Sequence, residues 1–137
     1  MQKLNVVILA AGKGTRMRSG KPKVLHELAG KTLLQHSLHT ARSINAATTC
    51  VVIGHQGDKV IASLQGQDLA FAEQKEQLGT AHAVHQALSQ LEDDALAIIL
   101  YGDVPLVLPD TLLRLIKPLD GNSMTVLTCV VKNPQGL

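Results

Sequence analysis

Five cations and no acid lie between Lys13 and Lys23: Lys13, Arg16, Arg18, Lys21 and Lys23. They belong to the run Leu9-Ala10-Ala11-Gly12-Lys13-Gly14-Thr15-Arg16-Met17 and its continuation, which reaches Pro22-Lys23-Val24-Leu25-His26. Ala10, Ala11, Gly12 and Gly14 carry almost no side chain, so backbone N–H groups there can approach a ligand closely and converge on an anion. The chemistry that suits such a stretch is the handling of phosphate. Its plainer alternative is a mobile, solvated basic turn, because loops rich in Gly and Lys are common on surfaces.

Two familiar phosphate motifs fail at a required residue. A dinucleotide fingerprint needs Gly-x-Gly-x-x-Gly, but Met17 stands at the third glycine after Gly12 and Gly14. A P-loop needs Gly, four residues and Gly-Lys-Ser/Thr; Gly30-Lys31-Thr32 has Leu25 where its first glycine belongs.

A second candidate group is Tyr101-Gly102-Asp103-Val104-Pro105. A carboxylate just beyond an apolar run, beside Gly102 and braced by Pro105, could hold Mg²⁺ against a triphosphate, because Mg²⁺ takes few protein oxygens and completes its shell with phosphate and water. Asp at such a corner also often only caps a turn, and the residues alone leave both readings open. The six histidines include the helically spaced pairs His36/His39 and His82/His85, but neither pair has a third ligand of suitable type, so no zinc site is expected. Neither a Ser-His-Asp nor a Cys-His arrangement is evident.

Charge is distributed unevenly. Residues 1–26 hold six of the thirteen Lys and Arg and none of the eleven acids, so they carry +6; seven cations against eleven acids leave −4 for the remainder. Positive potential is therefore concentrated at the loop. Nucleic acid is a poor fit, since Phe71 and Tyr101 are the only rings of their kind for base stacking and no reading module is recognisable. A compact polyphosphate such as a nucleoside triphosphate explains the clustering better.

The elements that must position these groups alternate between strand-like and helix-like. Val6 to Leu9 reads as a buried strand leading into the loop. Thr32 can cap a helix with Leu34, Leu38, Ala41 and Ile44 on its apolar face. Cys50 to Ile53 reads as the second strand, Asp58 to Leu64 as a short helix and Leu69 to Ala72 as a third, weaker strand. Thr80 then caps a helix with Val84, Ala87, Leu88 and Leu91 on one face. Ala97 to Tyr101 is expected as the fourth strand, a helix opens at Pro109 or Asp110, and Met124 to Val131 is expected as the fifth strand. Strands separated by helices imply an α/β, mostly parallel sheet with helices on both faces. In such sheets ligands lie beyond the carboxyl ends of the strands, so the basic loop and the Tyr101-Gly102-Asp103 turn should face each other.

Length and composition fit a globular piece of one domain, without linkers or repeats. At 137 residues and 45% hydrophobic, the chain is long enough to bury a core, which must be aliphatic given one Tyr, one Phe and no Trp. No apolar run approaches a membrane span, and cations interrupt the first apolar run where a signal peptide would need to continue it, so a cytoplasmic protein is expected. Cys50 and Cys129 both lie in apolar, strand-like contexts and read as buried free thiols.

Three blocks carry a family resemblance: the loop from Leu9 to His26, then Gln74 with Gln77-Leu78-Gly79-Thr80-Ala81-His82-Ala83, then Tyr101 to Pro105. In their order and approximate spacing they resemble the sugar-phosphate nucleotidyltransferases, and Pro22-Lys23-Val24-Leu25-His26 is similar to the bacterial bifunctional N-acetylglucosamine-1-phosphate uridyltransferases/glucosamine-1-phosphate acetyltransferases. The resemblance implies a Rossmann-like twisted sheet of the nucleotide-diphospho-sugar transferase type. It further implies that residues 1–137 form an incomplete, N-terminal part of the nucleotidyltransferase domain, without the left-handed β-helix acetyltransferase domain through which the family trimerises.

By the same resemblance, the partners are UTP and N-acetylglucosamine 1-phosphate, with Mg²⁺ as cofactor. The product is UDP-N-acetylglucosamine, a cell-envelope precursor. Leu9, Ala10, Ala11, Gly12, Gly14 and Thr15 line the nucleotide site, Gln74 reads the uracil, and Gln77, Gly79, Thr80, Tyr101 and Gly102 add contacts. Arg16 holds the leaving pyrophosphate, Lys23 neutralises the α-phosphoryl group, and Asp103 binds the metal with a downstream asparagine beyond this chain. Taken alone, Gln74 reads as an ordinary surface glutamine; as a base reader its amide offers a donor and an acceptor to the imide edge of uracil. Asn133-Pro134-Gln135-Gly136-Leu137 resembles the family's sugar-approaching Gly-Tyr-Gly-Arg segment, with Leu137 where its tyrosine belongs. A catalytically silent nucleotide-binding fragment, or a related cytidylyl- or guanylyltransferase, are the alternatives; Gln74 and the Gln77 to Ala83 block argue against the second.

Overall fold

A strand whose residues are apolar on both faces must lie inside a sheet covered on both sides, and Val6-Val7-Ile8-Leu9 leaves that as its one stable place. In the computed structural model, which describes residues 3–133, the elements in chain order are β1 (Leu4–Leu9), β2 (Glu27–Leu28), β3 (Lys31–Thr32), α1 (Leu33–Ser43), β4 (Thr48–Ile53), α2 (Gly57–Ser63), β5 (Ala70–Glu73), α3 (Thr80–Ala87), β6 (Leu96–Tyr101) and α4 (Pro109–Ile116). The main sheet has the order β5-β4-β1-β6. Each of its pairings is parallel, with Val7 opposite Cys50 on one side and Ile99 on the other.

The chain therefore winds outward from β1 to β5, then returns past β1 to lay down β6. Strand order reverses there, and the loops after β1 and β6 leave the same carboxyl edge. This is the position at which parallel sheets hold their ligands.

Helices cover both faces, as the alternation of the sequence requires. Val6, Ile8, Val51 and Leu100 pack with Leu34, Leu38 and Ala41 of α1, Val60 of α2 and Leu112 of α4. Val7, Cys50, Val52 and Ala72 pack with the small side chains Ala83 and Ala87 of α3, with Leu91 at the margin. Among the described residues no helix is long and apolar enough to cross a membrane.

Capping fixes where α1 begins. The Thr32 hydroxyl accepts from the Gln35 N–H at 3.1 Å while Gln35 Oε1 accepts from the Thr32 N–H at 2.8 Å, a reciprocal box. Buried on the inner side of α1, the Ser37 hydroxyl lies 3.2 Å from the Tyr101 carbonyl and the Thr40 hydroxyl 3.1 Å from that of Val107. These bonds tie the end of β6, and the turn that follows it, to a rigid helix.

Several expectations need correction. Thr80 is the first helical residue of α3, and the cap is Gly79, whose φ of 100° lies where a side chain is disfavoured. The buried face of α3 is Ala83 and Ala87, while Leu88 has left the α-helix for a 3₁₀ turn and is exposed. Met124 to Val131 forms no strand: the segment has no regular structure, is largely exposed and joins no sheet, and β-branched residues do not hold a strand without a ladder. Thr125, whose hydroxyl donates to the Leu115 carbonyl at 2.9 Å, anchors it. The 134–137 part of the Asn133 to Leu137 segment lies outside the described residues.

Cys129 is exposed in that segment, whereas Cys50 is buried in β4 as expected. Burial pushes the Cys50 thiol up to about 11, so at pH 8 almost all of it is the unreactive protonated form. Alkylation of the native chain at pH 8 is accordingly expected to label Cys129 first, with Cys50 slower by about a hundredfold or more. Equal rates in peptide mapping would contradict the burial of β4.

Candidate functional site

Beyond the carboxyl edge of the sheet lies a cavity of about 240 Å³. Leu9, Ala10, Ala11 and Gly12 enter it from the end of β1, Lys23 and Val24 from the following turn, and Tyr101 and Asp103 from the end of β6. Gln74, Gln77, Gly79, Thr80 and Ala83 supply the opposite wall, from the end of β5 through the first turn of α3. The three blocks separated in sequence thus meet in one place.

Backbone geometry makes the β1 loop suitable for an anion. The Ala10 N–H still belongs to the sheet, donating to the Val52 carbonyl at 2.8 Å. From Ala11 to Gly14, among the described residues, the amide N–H groups have no protein acceptor. Amides without a protein acceptor, in a loop with little side-chain cover, are open to phosphate oxygens.

Lys23 and Asp103 face each other across this cavity, with Nζ 2.6 Å from Oδ2. Their side chains are 43% and 28% exposed, so the pair is accessible from solvent and contributes only about 1 kcal/mol or less to stability. Lys23 opens a 3₁₀ turn, Lys23–Leu25, whose Val24 and Leu25 are buried and hold it in place. Gly14 backs it closely. A Cβ on Gly14 would lie 2.8 Å from Lys23 Cβ, and Gly14 has a φ of 57°, so both space and conformation favour glycine there.

The turn bearing Asp103 is pressed onto the β1 loop. Gly102 donates its N–H to the Leu9 carbonyl at 2.9 Å, and a Cβ on Gly102 would meet that oxygen at 3.1 Å and Val24 at 3.2 Å. Gly102 therefore sets the separation of Asp103 from the loop rather than lining the cavity. Gly14, Thr15 and Arg16 also lie outside the lining; Arg16 is exposed on the 3₁₀ turn Thr15–Met17.

Gln74 is buried, at 3% exposure, contrary to the surface glutamine that its type alone suggests. Its backbone N–H extends the β4–β5 ladder by donating to the Ile53 carbonyl at 2.8 Å. Its side-chain Nε2 donates to the Gly79 carbonyl at 3.2 Å and lies 3.1 Å from His82 Nδ1. One amide hydrogen thus has the Gly79 carbonyl as its acceptor and the other meets the His82 ring, leaving Oε1 as the end that neither contact uses. Sequence reasoning missed His82, which the metal-pair question had set aside, and missed Val24 and Ala83 as lining; an apolar residue beside Lys23 and an alanine one turn into a helix carry no chemical signal.

As a divalent-cation site the donor set is sparse. Among the described residues no group of three His, Cys, Asp or Glu side chains could hold a metal. One carboxylate beside a phosphate cradle nevertheless suits Mg²⁺ or Mn²⁺, which take most of their oxygens from phosphate and water.

Residues 6–136 match the model of the MobA-like NTP transferase domain. The bifunctional protein GlmU of Herminiimonas arsenicoxydans is 51% identical over 133 residues, covering 97% of this chain and 29% of that protein. Among solved structures, Rv0371c of Mycobacterium tuberculosis superposes with a TM-score of 0.73 at 26% identity, over 85% of this chain and 59% of that one. The same mycobacterial protein has a structure in complex with manganese, with a TM-score of 0.69. A nucleotidyl transferase from Methanothermobacter gives a TM-score of 0.70 at 25% identity, over 84% of this chain and 57% of its own length. The chain spans about 29% of the length of the curated relatives it matches.

Proposed function

Because this chain belongs to the MobA-like NTP transferase family, we propose that it carries the nucleotide-binding part of a sugar-phosphate uridyltransferase, which joins UTP and N-acetylglucosamine 1-phosphate into UDP-N-acetylglucosamine and pyrophosphate. The observation that carries the reading is the convergence, in one cavity, of Ala11 and Gly12 with their unpaired amides, the Lys23–Asp103 pair and the buried Gln74. Similarity to GlmU proteins at about 50% identity supports the uridine and N-acetylglucosamine assignments. Residues 1–137 correspond, in this reading, to the N-terminal part of a nucleotidyltransferase domain acting in the cytoplasm.

The reaction is a direct displacement. A phosphate oxygen of N-acetylglucosamine 1-phosphate attacks the α-phosphorus of UTP in line, the new P–O bond forms, and the bond to the β-phosphate breaks with its electron pair leaving on pyrophosphate. Both reactants are anions, so the residues must draw them together and stabilise charge on the α-phosphoryl oxygens. The amides of Ala11 to Gly14 cradle the triphosphate. Lys23 exchanges its exposed bond to Asp103 for the α-phosphoryl oxygens, and Arg16 steadies the departing pyrophosphate. Asp103 would hold Mg²⁺, which when bound offsets the negative charge of the triphosphate.

A second reading, a nucleotide-binding segment without turnover, is favoured by the single carboxylate, Asp103, that the cavity lining offers a metal among the described residues. Incubation with UTP, N-acetylglucosamine 1-phosphate and Mg²⁺, followed by mass spectrometry, separates the two. UDP-N-acetylglucosamine with stoichiometric pyrophosphate supports transfer; UTP binding without product supports the second reading, and neither binding nor product rejects both.

A further inference from the structure

We propose that His82 is a positioning residue that fixes the Gln74 amide so that only its carbonyl oxygen faces the base, making the cavity a reader of a ring N–H. The inference rests on the contact of Gln74 with the nucleobase in the proposed function. It begins from a count of hydrogens. Gln74 Nε2 has two, and two groups face it: the Gly79 carbonyl at 3.2 Å and His82 Nδ1 at 3.1 Å.

A backbone carbonyl can only accept, so Gly79 determines which end of the amide turns toward it. With that end fixed as nitrogen, the second hydrogen points at His82 Nδ1, and the ring must accept there and carry its own proton on Nε2. His82 Nε2 lies 3.2 Å from Gln86 Nε2, one turn further along α3, which donates to the His82 carbonyl at 3.3 Å; with both nitrogens carrying hydrogen the ring contact is donor to donor, and the half-buried Gln86 turns away from it more readily than Gln74, which is 3% exposed. The ring is thereby paired with Gln74 alone, and only the Gln74 Oε1 remains for a ligand.

An acceptor in that position discriminates by chemistry. Uracil presents a donor, N3–H, and cytosine an unprotonated N3 acceptor that would oppose the Gln74 oxygen. Without the His82 nitrogen, one Gln74 N–H is released, and a small rotation of the buried side chain offers it to the cytosine N3. Base preference then weakens although Gln74 itself is intact.

The test compares UTP and CTP affinity, by calorimetry, for the wild-type chain, His82→Leu and His82→Asn, with inorganic triphosphate as a probe of the phosphate cradle. In His82→Leu the preference for UTP over CTP should fall about tenfold while triphosphate affinity is unchanged. His82→Asn, which restores an acceptor near the position of Nδ1, should keep the preference. A preference undiminished in His82→Leu, or lost equally in both variants, would overturn the role of the ring nitrogen while leaving the uridine reading standing. A wild-type chain without preference for UTP would overturn that reading and this inference with it.

Discussion

Lys23→Ala is expected to lower the proposed uridylyl transfer by about two to three orders of magnitude, and UTP affinity about tenfold, with little change in melting temperature. The size follows from what Lys23 faces. It is the cation within the cavity lining, and its 2.6 Å partner Asp103 would be left as an unopposed negative charge where a triphosphate must come. Removing it therefore deletes one attraction and exposes one repulsion. Stability is spared because the pair is accessible to solvent, and such pairs contribute about 1 kcal/mol or less. Lys23→Arg should recover only part of the rate, since a planar guanidinium does not present charge as a compact ammonium does. Pyrophosphate release, with melting as the control, measures both variants against wild type; a Lys23→Ala rate within about threefold of wild type would remove Lys23 from the mechanism.

Leu34→Ala is expected to cost about 2 to 5 kcal/mol, a large part of the stability of a domain this size. Leu34 has no exposed surface and sits in the main core, and its Cδ1 would be 3.4 Å from a Cβ on Gly102. The cavity left by truncation would open beneath the turn that carries Asp103. Melting should fall by roughly 10 °C or more, whereas Leu106→Ala, at a residue 74% exposed, should shift it by about 2 °C or less. Equal effects of the two substitutions would contradict the assignment of Leu34 to the core.

Much of this fold is legible because its signals are local and agree. Val6 to Leu9 announces a buried strand, Thr32 with Gln35 announces a helix start, and the helices between strands require a parallel sheet. The strand order is not local. That β6 pairs with β1 rather than beside β5 depends on contacts some ninety residues apart, such as Leu4 opposite Leu96. The β2–β3 hairpin turns at Ala29 and Gly30, both at positive φ, and an alanine at the first of these gives no turn signal. Thr80 looked like a cap because its type is a good one, yet Gly79 precedes it with a conformation that threonine disfavours.

The candidate site shows the same division. Loop glycines, cations and Asp103 advertise their chemistry, and the topology that brings them together follows once the sheet is parallel. Gln74 was legible only through its family resemblance, because a polar side chain carries no mark of burial. His82 was hidden for a related reason: its role is to hold another side chain rather than a ligand. Met124 to Val131 has the composition of a strand, but composition cannot supply a neighbour.

The proposed uridine site is tested most directly by thermal melting of the chain in Mg²⁺, alone and with UTP, UDP-N-acetylglucosamine, CTP, GTP or ATP in excess. A ligand at 100 times its Kd adds about 2.7 kcal/mol, a rise of several degrees. The account predicts one cooperative transition raised by the uridine nucleotides and not by the others. A cooperative transition that none of them moves would contradict it.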